Sequence, residues 1–220
     1  MKFKTVEKLF AGVVLLALSI LWIIPVVWAF FTSFKSKNEI ISSGFSLIPN
    51  KFTLANYIEL LGSNEQTPVL TWFVNSLIIS VGQTLLVLIV VSLAAYGYTR
   101  VNFKGRDVLF LFLLSTMMFP SVLSLIPNYK IVDTLGLLNS PLAVILPGAA
   151  GVYNVFLVHQ FAKAIPDELD EAARIDGANH LQVYWHVIMP LLKPALTVVA
   201  LFTFTAAWND FLWPSIVLTD

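Results

Sequence analysis

The 220-residue sequence contains no cysteine, and only 12% of its residues are charged. The missing cysteine excludes a disulfide framework, a thiolate-held zinc or iron–sulfur centre and a thiol nucleophile. Charge at that level is half the roughly 25% of a soluble domain, while 58% of the residues are hydrophobic and mean hydropathy is +0.83. A water-soluble fold of this length has too little interior for so much apolar side chain, so the chain reads as an integral membrane protein. Lys and Arg number 13 and Asp and Glu 13, for a formal net charge of +0. No nucleic-acid partner is expected, because the basic footprint such a partner needs is missing. No Gly-Lys-Ser/Thr phosphate loop occurs either, so the chain is not expected to hold ATP in the P-loop manner. The three histidines make no helical metal pair: His180 and His186 fall on different faces of a helix and His159 is far off. No catalytic residue, metal ligand or cofactor of the chain's own is expected.

Long apolar runs dominate what is present. A crossing helix needs about 20 mostly apolar residues, and five stretches qualify, at about 9–32, 72–98, 108–126, 141–161 and 191–212. The first follows Lys2, Lys4 and Lys8 but is about twice a 7–15-residue signal-peptide core, with no small-residue cleavage site. It is expected to remain as a first helix. The fold class is therefore all-α, a polytopic transmembrane helical bundle, taken as one domain over residues 1–220. With the amino terminus in the cytosol, nine Lys/Arg lie inside (Lys2, Lys4, Lys8, Arg100, Lys104, Arg106, Lys163, Arg174, Lys193) and four outside (Lys35, Lys37, Lys51, Lys130). Positive-inside bias selects that orientation, in a plasma or inner membrane.

Ionisable groups are nearly absent from the runs. None lies between Trp72 and Tyr98, Val108 and Ile126, or Pro141 and Val158, and the fifth run has only Lys193 and Asp210, near its ends. Proton- and sodium-coupled carriers need such groups in the membrane. Uncharged polar residues are there instead: Asn75, Gln83, Tyr153, Asn154, Trp208 and Asn209, with Ser76 and Thr84. They form a candidate translocation path for a neutral polar solute, or they join helices at about 0.6–2 kcal/mol per bond. Pro147-Gly148 and Gly151 interrupt the fourth run, as in a broken helix lining a transport site or in a merely bent packing helix. Pro25 implies a similar kink in the first.

The connection over 162–190 is the most specific segment. Pro166 suits a first helical position, and Asp167, Glu168, Asp170 and Glu171 crowd the first turns, where acids complement the helix dipole. Asp170 and Arg174 are spaced to pair, and Gly177 is placed as a left-handed cap. Leu169, Ala172, Ala173 and Asp176 share a narrow face, with Glu171 and Arg174 turned away. A second helix is expected from Asn179, whose cap Gln182 supports, carrying a stripe of Leu181, Tyr184, Trp185 and Ile188 suited to the membrane interface. Helices that merely lie on lipid are rich in Lys and Arg; this acidic knob, on an anionic leaflet, points to a protein partner.

Glu171-Ala-Ala, three residues, Gly177, nine residues and Val187-Ile-Met-Pro190 resembles the EAA loop of ABC-importer permeases, with Val187 and Met189 in place of its Ile and Leu. Pro25-Val-Val-Trp28 with Thr32-Ser-Phe-Lys35 and Phe52-Thr-Leu-Ala-Asn56-Tyr57 are similar to carbohydrate-importer permeases of the maltose type. So are Ala94-Ala-Tyr96 before Arg100, Leu135-Gly-Leu-Leu-Asn139-Ser-Pro141 and Trp208-Asn-Asp-Phe-Leu-Trp-Pro214, closer to the G-type subunit than to the F-type. The resemblance implies a type I ABC-importer permease fold of six spans, of which five are present, the sequence stopping before the last helix. It implies a non-catalytic subunit of an ATP-driven sugar importer, whose partners are two copies of an ATP-binding cassette subunit, a second permease and an extracytoplasmic solute-binding protein. ATP is then bound by the partner. Glu171, Ala172, Ala173, Asp176, Gly177 and Pro190 are the residues implied at the coupling contact. A secondary carrier or channel for a neutral polar solute is the alternative.

Overall fold

A computed structural model describes residues 2–42, 46–62, 68–149 and 151–219, with side chains described from residue 7 onward except at Ser42. The chain divides into two compact units, Met1–Trp72 and Phe73–Asp220. Every regular element among the described residues is helical.

In the first unit, α1 (Lys2–Thr32) runs through Pro25 without a break. The most apolar 18-residue window of its segment Glu7–Thr32 has a mean hydropathy of 2.7 and no buried residue, leaving its apolar side chains for lipid. After α1 come two short helices, α2 (Lys37–Ser42) and α3 (Ala55–Leu61). Here two of the sequence motifs meet. The Asn56 amide donates to the Ser33 and Lys35 carbonyls at 2.9 and 2.8 Å, and Thr53 N–H donates to the Phe34 carbonyl at 2.9 Å. Orphan carbonyls at the end of α1 are thus satisfied by the Phe52–Tyr57 segment. Phe31, Phe34, Phe52 and Tyr57 pack ring against ring around them, and buried Lys35 gives its ammonium to the Ser46 carbonyl.

The second unit is organised on α4 (Val69–Arg100), whose 32 residues span about 48 Å at 1.5 Å each. That exceeds the ~30 Å hydrocarbon core, so Arg100 can stand clear of it. One stripe of α4 is buried: Ser80, Thr84, Val87, Val91, Ser92, Ala95 and Tyr96. Two of its hydroxyls return to their own helix, Thr84 to the Ser80 carbonyl at 2.7 Å and Ser92 to the Leu88 carbonyl at 2.6 Å, which spares them an unpaired state in lipid. The next elements are α5 (Arg106–Ser115) and α6 (Leu125–Thr134), joined through 3-10 turns; the two halves are bent by 99°. Next, α7 (Pro141–Gly148) and α8 (Val152–Lys163) form a second broken pair, bent by 47°.

Beyond α8 lie α9 (Glu168–Ile175) and α10 (His180–Val183), which passes through a π-helical turn (Tyr184–Ile188) into α11 (Met189–Asn209); α12 (Leu212–Val217) closes the described chain. Among the described residues, three helices are long and apolar enough to cross a membrane, and up to five crossings result if each bent pair counts as one. The fifth is a single helix from His180 to Asn209, starting well before the expected 191. The stripe read as interfacial belongs to that crossing: Tyr184 and Ile188 are buried, and only Leu181 and Trp185 remain exposed. Packing against α4 overrides the amphipathic pattern, because Val183, Tyr184, Ile188 and Leu192 complete a core with Val87, Val91, Ala95, Val155 and Val158. Pro190 has no N–H to return to the turn before it, and the π-helical turn falls there. A smaller core joins Ile79, Val132, Ala143, Val144, Ile145 and Val217 at the other end of the unit.

Candidate functional site

Two places in the second unit bring functional side chains together. The first is α9. Its C-terminus closes as a Schellman motif: Ala178 N–H donates to the Ala173 carbonyl and Gly177 N–H to the Arg174 carbonyl, both at 3.0 Å, with Gly177 at φ 84°. A Cβ at Gly177 would meet nothing within 4 Å, so glycine is demanded there by backbone angle alone. The following cap is the expected capping box, Asn179 Oδ1 accepting from Gln182 N–H at 2.9 Å and Gln182 Oε1 from Asn179 N–H at 2.8 Å.

The orientation of α9 differs from its sequence pattern. Asp170 and Ala173 turn toward the core, while Leu169 and Ala172 stay exposed beside Glu171 and Asp176. The outermost apolar group is Ile175, 86% exposed. Nor does Asp170 pair with Arg174. Its partner is Arg100, at 3.8 Å, with both side chains nearly out of solvent. Arg100 also meets the Asp167 carboxylate and donates to the carbonyls of Ala162 at 3.1 Å and Ile165 at 2.6 Å. One guanidinium therefore ties the end of α4, the end of α8 and the start of α9. A buried cation of that reach outcompetes an exposed i, i+4 pair. Arg174 instead lies 3.2 Å from His180 Nδ1.

Two further bonds link α4 to the helix after the loop. Tyr96 Oη donates to the His180 carbonyl at 3.0 Å, and Ser92 Oγ and Tyr184 Oη are 2.8 Å apart. Arg100, Ser92, Tyr96 and His180 were not singled out from sequence as joining residues. A usable signal existed in Asp167 and Asp170, spaced three apart so as to share one cation. Pro190 sits in the first turn of α11, behind the π-helical turn.

The second place is a cavity of about 310 Å³ lined by Gln83, Ser121, Asn128, Pro147, Gly148, Asp210 and Trp213, with Val122, Leu125, Val144 and Leu212. Of the six polar residues read as a translocation path, only Gln83 lines it. Asn154 Nδ2 donates to Thr203 Oγ1 at 3.4 Å, joining α8 to α11. Asn209 returns to the Thr205 carbonyl at 2.7 Å, Trp208 packs on Phe204 and Phe73, and Asn75 and Tyr153 are exposed. Asn128, Asp210 and Trp213 are the lining residues that sequence reasoning passed over. No group of three or more His, Cys, Asp or Glu able to hold a metal occurs among the described residues.

Comparison with known proteins fits this arrangement. Residues 88–220 match the family described as binding-protein-dependent transport system inner membrane component. The chain is 34% identical over 212 residues to the diacetylchitobiose uptake system permease protein NgcG of Streptomyces coelicolor, covering 93% of this chain and 68% of that one. It is 33% identical over 215 residues to the galactooligosaccharides transport system permease protein GanQ of Bacillus subtilis, covering 97% and 75%. Among solved structures, a bacterial ABC transporter involved in the import of the acidic polysaccharide alginate has a chain that superposes with a TM-score of 0.86 at 26% identity, covering 99% of this chain and 76% of that one. A chain with up to five helical crossings, two of them bent, and an exposed acidic helix before the last of them thus has the fold of an ABC-importer permease, and it belongs to the family of inner membrane components of binding-protein-dependent transport systems, among its carbohydrate permeases.

Proposed function

We propose that the chain couples ATP hydrolysis in a partner subunit to the import of a sugar or oligosaccharide, with α9 as the coupling helix. The observation that carries this is the pairing of an exposed face with a rigid root. Glu171, Ala172, Ile175 and Asp176 face outward, while Arg100 clamps the helix to the ends of α4 and α8. The amino terminus and α9 are cytosolic in this reading, in line with the excess of Lys and Arg on that side. Two copies of an ATP-binding cassette subunit act on α9 and on its counterpart in a second permease, and a loaded extracytoplasmic binding protein docks on the opposite face.

A displacement of α9 reaches the crossings through named contacts. Arg100 carries it to α4 and α8, and the Tyr96–His180 and Ser92–Tyr184 bonds carry it between α4 and the helix running into α11. Rocking of these packed crossings then alternates access to the solute path. The chain performs no chemistry of its own and needs no cofactor; ATP is bound and cleaved by the partner.

Mild-detergent purification from the native membrane, with mass spectrometry of the co-purifying chains, tests this. An ATPase, a second permease and a soluble sugar-binding protein are expected. Solute transport by the chain purified alone and reconstituted in vesicles overturns the reading in favour of a carrier or channel.

A further inference from the structure

We propose that the cavity bordered by Gln83, Asn128, Asp210 and Trp213 is a subsite for one uncharged sugar ring, a proposal that rests on the importer function above. Three interruptions of the crossings converge on it: the turns between α5 and α6, the break after Gly148 and the end of α11 at Asp210. Interrupted helices border solute sites in transporters because the loosened backbone is tolerated only where it faces protein or a cavity.

The side chains there are unspent. Gln83, Asn128 and Asp210 line the same space, and none of their side chains makes a hydrogen bond or ion pair with another described residue. Thr84, Ser92, Asn154 and Asn209, elsewhere in the crossings of this unit, each have a partner. Two amides and a carboxylate offer the donors and acceptors that vicinal hydroxyls need, and Trp213 adds an aromatic surface. That surface is fixed, since Trp213 Nε1 donates to the Ala143 carbonyl at 3.0 Å. A few polar groups beside an aromatic wall is the usual make-up of a small-molecule site. The volume, about 310 Å³, lies at the lower end of the ~300–1,000 Å³ range of ligand pockets, enough for a ring but not an oligomer. Asp210 is the one acidic side chain on the wall, so the site disfavours a uronate carboxylate relative to a neutral ring.

Gly148 keeps the site open. A Cβ there would lie 2.4 Å from the Cδ and Nε2 of Gln83, so Gly148→Ala displaces a flexible amide rather than the backbone. The absence of cysteine allows a direct test, because any cysteine introduced is the chain's only thiol. The complete transporter is reconstituted in vesicles, uptake of diacetylchitobiose, arabinobiose and galactobiose is measured, and Asn128→Cys is labelled with a small neutral methanethiosulfonate. The transported neutral disaccharide should slow labelling at Asn128→Cys at least fivefold and leave exposed Lys130→Cys unaffected. Gly148→Ala in the Asn128→Cys background should remove most of that protection. Digalacturonate should protect poorly until Asp210→Asn is added, which should raise its protection severalfold. Uptake by wild type without protection at Asn128→Cys, or equal protection at Lys130→Cys, overturns the subsite while the importer function stands. Uptake of none of the three sugars by the wild-type transporter overturns both.

Discussion

Arg100→Ala removes a buried cation that holds α9 to the crossings. The side chain is 3% exposed and Asp170 8% exposed, whereas Asp167 is 81% exposed and contributes little to the pair. Truncation leaves the Asp170 carboxylate buried without a cation. One of its oxygens already lacks a hydrogen-bond donor. Breaking a buried pair from one side costs about 3–5 kcal/mol, mostly the uncompensated charge. Set against the docking of α9, that shifts the docked-to-free ratio by about two to nearly four powers of ten. The loss is local, because the apolar core around Val87, Val158 and Ile188 does not include Arg100. The assay is ATPase activity of the reconstituted complex with and without loaded binding protein, alongside thermal unfolding. Arg100→Ala should lose the stimulation by binding protein. Arg100→Met with Asp170→Leu should recover stability, since neither charge is left alone, but not stimulation. Wild-type stimulation and Tm in Arg100→Ala, or a double variant no more stable than the single, refutes the reasoning.

Gly177→Ala keeps open space around the new methyl group but must hold φ at 84°, so a cost of about 1–2 kcal/mol is expected; Gly177→Asp adds a carboxylate beside Asp176 and should abolish solute uptake while membrane insertion, read by fractionation, is unchanged. Tyr184→Phe deletes the 2.8 Å bond to Ser92 and should cost about 0.6–1.7 kcal/mol in unfolding of the detergent-solubilised complex. Ile175→Glu changes a side chain that is 86% exposed; Tm should move little, within the ±0.5 kcal/mol of an ordinary surface change, and co-purification of the ATPase should drop sharply.

Local chemistry was legible in the sequence where the chain interacts with its near neighbours. The αL angle at Gly177 and the Asn179–Gln182 capping box depend on residues within a few positions, and both take the expected form. Apolar runs likewise locate the crossings, because their composition is the cause of their burial in lipid. Pairings across the unit were not legible. Nothing near Asp170 in sequence shows that its cation is Arg100, and the i, i+4 spacing of Arg174 offers a nearer candidate. The stripe of Leu181, Tyr184, Trp185 and Ile188 follows the period of an interfacial helix, yet Tyr184 and Ile188 are claimed by the face of α4. Polar residues inside a crossing do not announce their use either. Asn154 and Asn209 are spent on helix contacts, whereas Asn128 and Asp210, near helix interruptions, are left unspent.

The most direct measurement of the coupling assignment is site-directed cross-linking from α9 in native membranes. With no other cysteine in the chain, a photoactivatable group placed on Ile175→Cys reports only what touches that exposed position. The predicted product is a single adduct with an ATP-binding cassette subunit, lost when the probe is moved to Lys130→Cys at the other end of the unit. An adduct with lipid alone, or with a protein that is no ATPase, in membranes that still take up sugar contradicts the assignment of α9 as the coupling helix.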